Sequence, residues 1–456
     1  MAMTRWLRPT GASPRMPLLK KLFWLYFLLL IFEGALRKWL LPQLSAPLLL
    51  VRDPVAFFII WEAYRTHKWP RQWSLAVGIL AAGLIALCLI QLIAGENSWF
   101  VPVYGLRSYL LPFPVAFIMG ENLDREDLRK FGICTLWLLL PLTALEVAQY
   151  YAEPGSWLNA GAFAGGHQIG YANGHVRASA TFSYVAGPMS YLPLAAAFIF
   201  YGLAHARFAK RWLLWAACCA LIMAVPVTGS RTLVYELAAV VACVGVAAMF
   251  GVSQFTNSLK VIAGILVVFV LVSRLPAFSE SAATLLTRFS QASGPEGNSE
   301  QSLWLRVAQP IVGTIENAGS QSSWLGLGVG YGALAISSLL TGTLQFLAAE
   351  EEFPRVIAEF GAPAGMAFMV FRYLLAAMIA AKALSRVRDG EPLAWLLVPL
   401  VLNTLVLGVL EQPTDQGFMV ISVGFSLAAL KSSEVVAEPA PIRNARLRQA
   451  RYHLHP

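Results

Sequence analysis

Trp73-Ser-Leu-Ala-Val-Gly-Ile-Leu-Ala-Ala-Gly-Leu-Ile-Ala-Leu-Cys-Leu-Ile-Gln-Leu-Ile-Ala94 contains no charged residue. A helix crosses the hydrocarbon core of a bilayer in about 20 apolar residues, so this stretch alone is long enough to span one. Similar runs recur along the chain. The spacing predicts spans near 20–41, 46–64, 73–94, 103–120, 130–151, 182–204, 212–228, 231–250, 260–276, 354–382, 391–410 and 416–431. Composition points the same way. Hydrophobic residues make up 57% of the chain and charged residues 13%, against about a quarter charged in soluble domains. The expected fold is all-α: a single polytopic membrane domain over 1–456 with about twelve transmembrane helices.

Orientation follows from the basic residues, which concentrate in alternate loops. One set is Arg5, Arg8, Arg15, Lys20 and Lys21, then Arg65, Lys68 and Arg71, then Arg125, Arg129 and Lys130. Arg207, Lys210 and Arg211 continue it, with Lys260, then Lys382, Arg386 and Arg388, and a basic tail over 432–456. Lys and Arg favour cytoplasmic loops, so both termini are expected inside. The net charge of +9 therefore suggests membrane anchoring and not nucleic-acid binding. The run from Leu22 ends in Arg37-Lys38 with no small-residue cleavage site, so it reads as a retained first helix and not a signal peptide. The five cysteines all lie in apolar runs, and neither CxxC nor HExxH occurs. No metal site and no cofactor is expected.

Two outer loops stand out. One runs from Ala152 to Thr181. The other, 277–353, is large enough for a small extracytoplasmic subdomain. Within it, apolar Trp304, Val307, Ala308, Ile311, Val312 and Ile315 recur with helical period, broken by Pro310. That pattern suits a helix lying on the membrane surface. The glycine-rich stretch Gly326 to Gly332 follows no predicted strand, so a dinucleotide-binding reading is unsupported.

Several basic residues oppose the trend by falling at outer ends or inside spans: Arg37, Lys38, Arg52, Arg107, Arg177, Arg231, Arg274, Arg288, Arg306, Arg355 and Arg372. Ionisable groups there are costly and mark candidate functional sites, unless each is simply paired or snorkels to the surface. Glu33 lies one turn before Arg37 and is its natural partner. Asp53 and Pro54 suit the start of a helix. Arg231 sits in the turn Thr228-Gly-Ser-Arg231. Glu352, Arg355 and Glu359 share one helical face, with Pro354 suited to the first helical position and Glu352 just before it. Gly361 and Gly365 would let helices approach closely. On this reading Arg355 orients Glu352, and Glu359, deeper in the helix, fixes Arg355. Among the histidines only His167 and His175 face outward, and either could be a general base or merely a hydrogen-bonded loop residue.

Four stretches in this order resemble the O-antigen ligase and O-antigen polymerase superfamily. They are His175-Val-Arg177-Ala-Ser-Ala-Thr-Phe-Ser-Tyr184, Thr228-Gly-Ser-Arg231, Trp324-Leu-Gly-Leu-Gly-Val-Gly-Tyr-Gly332, and Glu352 to Gly365. Glu33-Gly-Ala-Leu-Arg-Lys-Trp39 and Val51-Arg-Asp-Pro54 are similar to a branch of exopolysaccharide polymerases. The resemblance implies a metal-independent glycosyltransferase of the bacterial inner membrane. Its donor would be an undecaprenyl-diphosphate-linked oligosaccharide and its acceptor a glycan or lipid. Its partners would be membrane lipids and a chain-length regulator, with no nucleic acid. Arg177, Arg231 and Arg306 would hold the diphosphate, Glu352, Arg355 and Glu359 would serve catalysis, and His167, His175 and Arg107 are secondary candidates. Ligases of the superfamily carry a histidine where the large loop meets the next helix, and this chain has Glu350-Glu-Glu352 there. Two other classes remain open: a transporter or flippase of lipid-linked oligosaccharide, and a non-catalytic partner in polysaccharide export.

Overall fold

The computed structural model describes residues 16–95, 98–162, 168, 174–250, 276–291, 311–314, 324–333, 336, 349 and 351–431. Among these the elements are helices, without a strand. In chain order the longer ones are α1 (Leu18–Ala35), α2 (Arg52–Arg65), α3 (Ser74–Ile93), α4 (Phe100–Tyr109), α5 (Pro112–Asn122), α6 (Arg125–Tyr151) and α7 (Ala186–Ala204). Then come α8 (Arg211–Thr228), α9 (Arg231–Met249), α10 (Pro276–Gln291), α11 (Glu352–Phe360), α12 (Ala362–Arg388), α13 (Leu393–Leu402) and α14 (Pro413–Lys431).

Eight segments among the described residues are long and apolar enough to cross a membrane. They are Pro42–Arg65, Arg71–Ile93, Phe100–Asn122, Arg125–Tyr151, Ala186–Ala204, Arg211–Thr228, Arg231–Met249 and Ala362–Arg388. Their surroundings explain why a bilayer is needed. On α3, Leu75 is 74% exposed and Ile93 86%. Apolar surface of that kind is stable only against lipid or a partner. By contrast α5, α7 and α14 form the centre. Gly120 of α5 faces Leu427 of α14, and Gly424 of α14 faces Met119 of α5, so neither glycine has room for a side chain. Phe27, Phe131, Phe198 and Phe425 fill the space beside them.

Each expected span coincides with one or two helices, apart from 260–276, of which 260–275 lies outside the described residues. The surface helix expected over 301–316 is described only at 311–314, and the tail 432–456 lies outside as well. The segment 103–120 falls within the single span Phe100–Asn122, which is only kinked at Leu110–Leu111, where both residues stay in the helical region and α5 starts on Pro112. Proline lacks the N–H that would continue the helix ladder. One span needs correction. The segment 354–382 is two helices joined at Gly361, whose φ of +78° only glycine adopts without strain.

The chain reverses at Gly361. Gly365 lies against Ile357, and Glu352 against Arg372, so α11 runs antiparallel beside α12 as a hairpin. The first helical residue is Glu352, not Pro354, which takes the third position. Glu352 therefore sits eleven residues down α12 from the reversal. Glu352, and not Glu359, lies further along α12 from that reversal.

At the opposite end of the bundle, Asp124 and Asp127 form a reciprocal cap on α6, each accepting the other's backbone N–H. Lys20 of α1 pairs with both carboxylates. Burial alone would raise the Asp124 carboxyl. The Lys20 ammonium and the Asp127 amide outweigh it and hold the group below its ordinary value.

Candidate functional site

Two widened helical turns set up a buried polar layer. After α1, the Leu41 N–H bonds to Leu36 O, five residues back, and the turn Leu36–Leu40 carries Arg37 and Lys38 inward. After α13, the Gly408 N–H bonds to Asn403 O in the same way. Such π turns free carbonyl groups from the i→i+4 ladder. Arg372 of α12 takes those freed carbonyls, donating to Leu405 O at 2.9 Å and Gly408 O at 2.7 Å.

The first half of the layer is cationic. Arg37 pairs with Glu33 at 3.5 Å, as the one-turn spacing requires, and also donates to Ser183 Oγ and Ala162 O. Arg52, at the start of α2, shares the same carboxylate at 3.0 Å and donates to Pro413 O. Lys38 is buried, donates to Ser179 Oγ and Ala180 O, and has no carboxylate partner among the described residues. Ala180 adopts φ +47°, a conformation costly for a residue with a side chain. Gln149 accepts its N–H and so holds its carbonyl where Lys38 can reach it. Arg107 of α4 pairs with Asp53 at 2.7 Å and lies over the Tyr104 ring. Here four cations meet two carboxylates, and the Nη1 atoms of Arg52 and Arg107 have no hydrogen-bond acceptor among the described residues.

The second half is acidic. Glu352 forms a short ion pair with Arg372 and accepts the Leu410 N–H at 3.3 Å. Glu359 accepts the N–H groups of Gly330 and Gly332 at 2.9 and 2.7 Å. Gly326, Gly328 and Gly330 all have positive φ, and the alternate amides of Gly330 and Gly332 converge on the two oxygens of one carboxylate. This backbone cradle suits an anion, and the chain's own Glu359 fills it. Gln91, the polar residue inside α3, ties the same loop down through Val329 N, Leu325 O and Glu359 O.

Arg355 donates twice to Ala349 O and lies 3.7 Å from Glu411. Glu411 occupies the turn between α13 and α14. It is buried beside the Glu359 carboxyl, within hydrogen-bonding reach of it, and no N–H donor meets either of its oxygens among the described residues. Burial, and then the neighbouring Glu359 carboxylate, push the Glu411 carboxyl well above the ordinary carboxylate range, and Arg355 offsets only part of this. Among the described residues the fully buried Tyr109 hydroxyl also lacks a partner, and it faces Glu359, Glu411 and Glu352. With Asp415, which accepts the Val409 N–H, four carboxylates meet two arginines. Asp415 is also the electrostatic neighbour of Glu236 on α9, a buried carboxylate with both oxygens unbonded among the described residues.

The halves adjoin. Gln416 of α14 donates to the carbonyls of Arg107 and Ser108, and Tyr104 lies within electrostatic reach of Arg107, Glu411, Asp53 and Arg37.

Of the residues singled out from sequence, Glu352, Arg355, Glu359 and Arg107 share this layer. Their pairing differs from the expectation. Arg372, and not Arg355, holds Glu352, while backbone amides, and not Arg355, hold Glu359. The reversal at Gly361 causes this, because it brings α12 beside α11. Arg177 lies two residues before Ser179, the acceptor of Lys38, and is half-buried. Arg231 opens α9 behind Gly229 (φ +57°) and the cap residue Ser230, so the expected turn is present. His175 is engaged at both ring nitrogens: Nδ1 donates to Tyr150 O at 2.8 Å, and Nε2 lies 3.1 Å from Glu280. His167 and Arg306 lie outside the described residues.

Glu411 and Gln91 were missed. Both had a visible signal. Gln91 is the polar residue in an otherwise apolar span, and Glu411 belongs to the hydrophilic break Glu411-Gln-Pro-Thr-Asp415 between two apolar runs. Comparison with family models and with curated proteins gives no match.

Proposed function

We propose that this chain is an integral-membrane glycosyltransferase that transfers or polymerises a glycan carried on a lipid diphosphate. It would act at the outer face of a bacterial inner membrane, with about twelve spans and both termini in the cytoplasm. One observation carries the reading: at one end of the helices, an excess of buried cations adjoins an excess of buried carboxylates. The cationic half suits a diphosphate, since guanidinium groups bind phosphate oxygens in pairs and stabilise the charge that develops as it leaves. Arg52 and Arg107 have Nη1 donors to spare, and Arg177 and Arg231 complete the set. The acidic half suits hydroxyl groups, which donate to carboxylates.

In the proposed step an acceptor hydroxyl oxygen attacks the anomeric carbon. The bond from that carbon to the diphosphate oxygen breaks, and the lipid diphosphate leaves with the electron pair. Glu411 takes the hydroxyl proton. Glu352 is committed to Arg372 and Glu359 to the glycine loop, so both hold the site's shape and neither handles the proton.

The test is transfer by the purified, reconstituted chain, given a lipid-diphosphate oligosaccharide and followed by glycan length. Arg52→Ala and Arg107→Ala should lower transfer while the protein stays inserted. Failure of the wild-type chain to form any new glycosidic bond would end this reading.

A second reading has its own support. The kink at Leu110–Leu111, the reversal at Gly361 and the two π turns interrupt helices beside the charged layer, and transporters build substrate sites from interrupted helices. A flippase would move a labelled lipid-linked oligosaccharide across proteoliposomes and leave its length unchanged.

A further inference from the structure

The opposite end of the bundle holds a cavity of about 510 Å³ where α6, α7 and the start of α13 meet. Its floor is apolar, made by Ala204, Phe208 and Leu393. Its rim is basic. Arg125 and Arg129 stand one turn apart on α6, and Arg207 comes from the loop after α7.

The rim is held in shape. Arg129 donates through Nε to Phe208 O at 2.9 Å and to Arg207 O at 3.3 Å, which fixes the loop against α6. Arg125 pairs with Glu391 at 2.8 Å and donates to the Tyr201 hydroxyl at 3.2 Å. Arg129 also meets Glu126 at 3.1 Å. Arg207 is exposed and has neither a carboxylate nor a hydrogen-bond partner among the described residues. Three cations thus face two carboxylates, and the surplus charge sits on the most accessible arginine. Lys210, in the same loop, and Arg211, the first residue of α8, add to it.

We infer that this cavity binds an anionic phospholipid, with the headgroup phosphate on Arg207 and Arg129 and an acyl chain on the Phe208–Leu393 floor. Arginine offers phosphate two parallel donors. An apolar floor adds nothing for a soluble phosphate but suits a chain of methylene groups. Trp212, half exposed at the start of α8, stands next to the basic loop. Tryptophan gathers at headgroup level, which places the rim where lipid phosphates lie. Basic pockets between helices on the cytoplasmic side bind such headgroups in general.

The experiment uses the full chain in a neutral detergent. Phosphatidylglycerol and phosphatidylcholine of equal chain length are titrated separately, with thermal stability and native mass spectrometry as readouts. Saturable binding of phosphatidylglycerol, roughly tenfold tighter than phosphatidylcholine, is expected. Arg207→Glu should remove that preference and leave the stability of the lipid-free protein unchanged, because Arg207 supports no other group. Inorganic phosphate alone should give no stabilisation at millimolar concentration. Equal binding of the two lipids overturns the inference, and so does an unchanged preference in Arg207→Glu. Stabilisation by inorganic phosphate alone also overturns it, by pointing to a soluble ligand.

Discussion

The cationic and acidic halves of the buried layer are built by different means. Around Arg37, Arg52 and Arg107, the cations outnumber their carboxylates, and the remainder are satisfied by carbonyl and hydroxyl oxygens of the 162–183 loop and by Pro413. Around Glu352 and Glu359, the carboxylates outnumber the cations, and backbone amides of two loops supply the missing donors. Among the described residues each half keeps atoms short of a partner: the Nη1 atoms of Arg52 and Arg107, which meet no acceptor, on one side, and the Tyr109 hydroxyl and the Glu411 oxygens, which meet no N–H donor within hydrogen-bond distance, on the other. An unsatisfied buried polar group costs about 1–3 kcal/mol. Groups left so in adjoining halves of opposite charge are where a ligand with an anionic end and a hydroxyl-rich end would regain that energy.

The largest effect should come from splitting a committed pair. Arg372→Ala leaves Glu352 charged and unpaired in the interior and should cost about 3–5 kcal/mol, seen as lost folded yield or thermal stability. Replacing both, as Glu352→Gln with Arg372→Met, should recover much of that loss. If Arg372→Ala is as stable as the wild type, the pair is not what holds α11 against α12.

Glu411 should behave in the opposite way. Glu411→Gln keeps the size of the side chain and should lower transfer by about 100-fold or more, as expected for loss of a proton acceptor. Stability should hold or improve. A carboxyl whose folded pKa is raised favours the folded state at low pH, and that contribution is lost as pH rises through the folded value. The Gln variant should therefore gain on the wild type as pH increases. In the wild type, transfer should rise with pH across an interval above the ordinary carboxylate range, and this limb should vanish in the variant. Wild-type transfer in Glu411→Gln would make the acidic half purely architectural.

Gly417 of α14 sharpens the cationic half. A methyl group there would collide with Arg52 Nη1. Gly417→Ala should displace the guanidinium and weaken donor binding, at a cost of about 1–3 kcal/mol in stability. An unchanged KM for the lipid-linked donor would remove Arg52 from the binding group.

The smallest effect lies at the far end of the bundle. Asp124→Ala removes the cap on α6 and should cost about 1 kcal/mol with transfer unaltered. The Asp124 carboxyl is held below its ordinary value, so its contribution is present above the unfolded carboxylate pKa and fades as pH falls through the folded one. Thermal unfolding of Asp124→Ala and wild type should therefore converge in acid. A gap that persists there would point to lost packing instead.

What the sequence determined by itself was whatever depends on neighbours along one helix. Predominantly apolar runs about 20 residues long marked the helical segments, because a bilayer's thickness and the helical rise fix that length. The one-turn spacing of Glu33 and Arg37 fixed that pair. The outlying Arg107, Glu352, Arg355 and Glu359 were legible as costly groups in apolar surroundings, and the structure gathers them into one layer. What only the tertiary structure decided was their partners. The run from Pro354 onward has the composition of one continuous helix, and nothing local announces that Gly361 takes positive φ because Trp324 and Gly326 press against it. That contact comes from a loop some 35 residues earlier in the chain. Once it turns α11 back along α12, Arg372 meets Glu352, Glu359 enters the glycine cradle and Glu411 is left facing Arg355 at 3.7 Å. Helical periodicity describes one element at a time, whereas the state of a buried charge depends on every element packed around it.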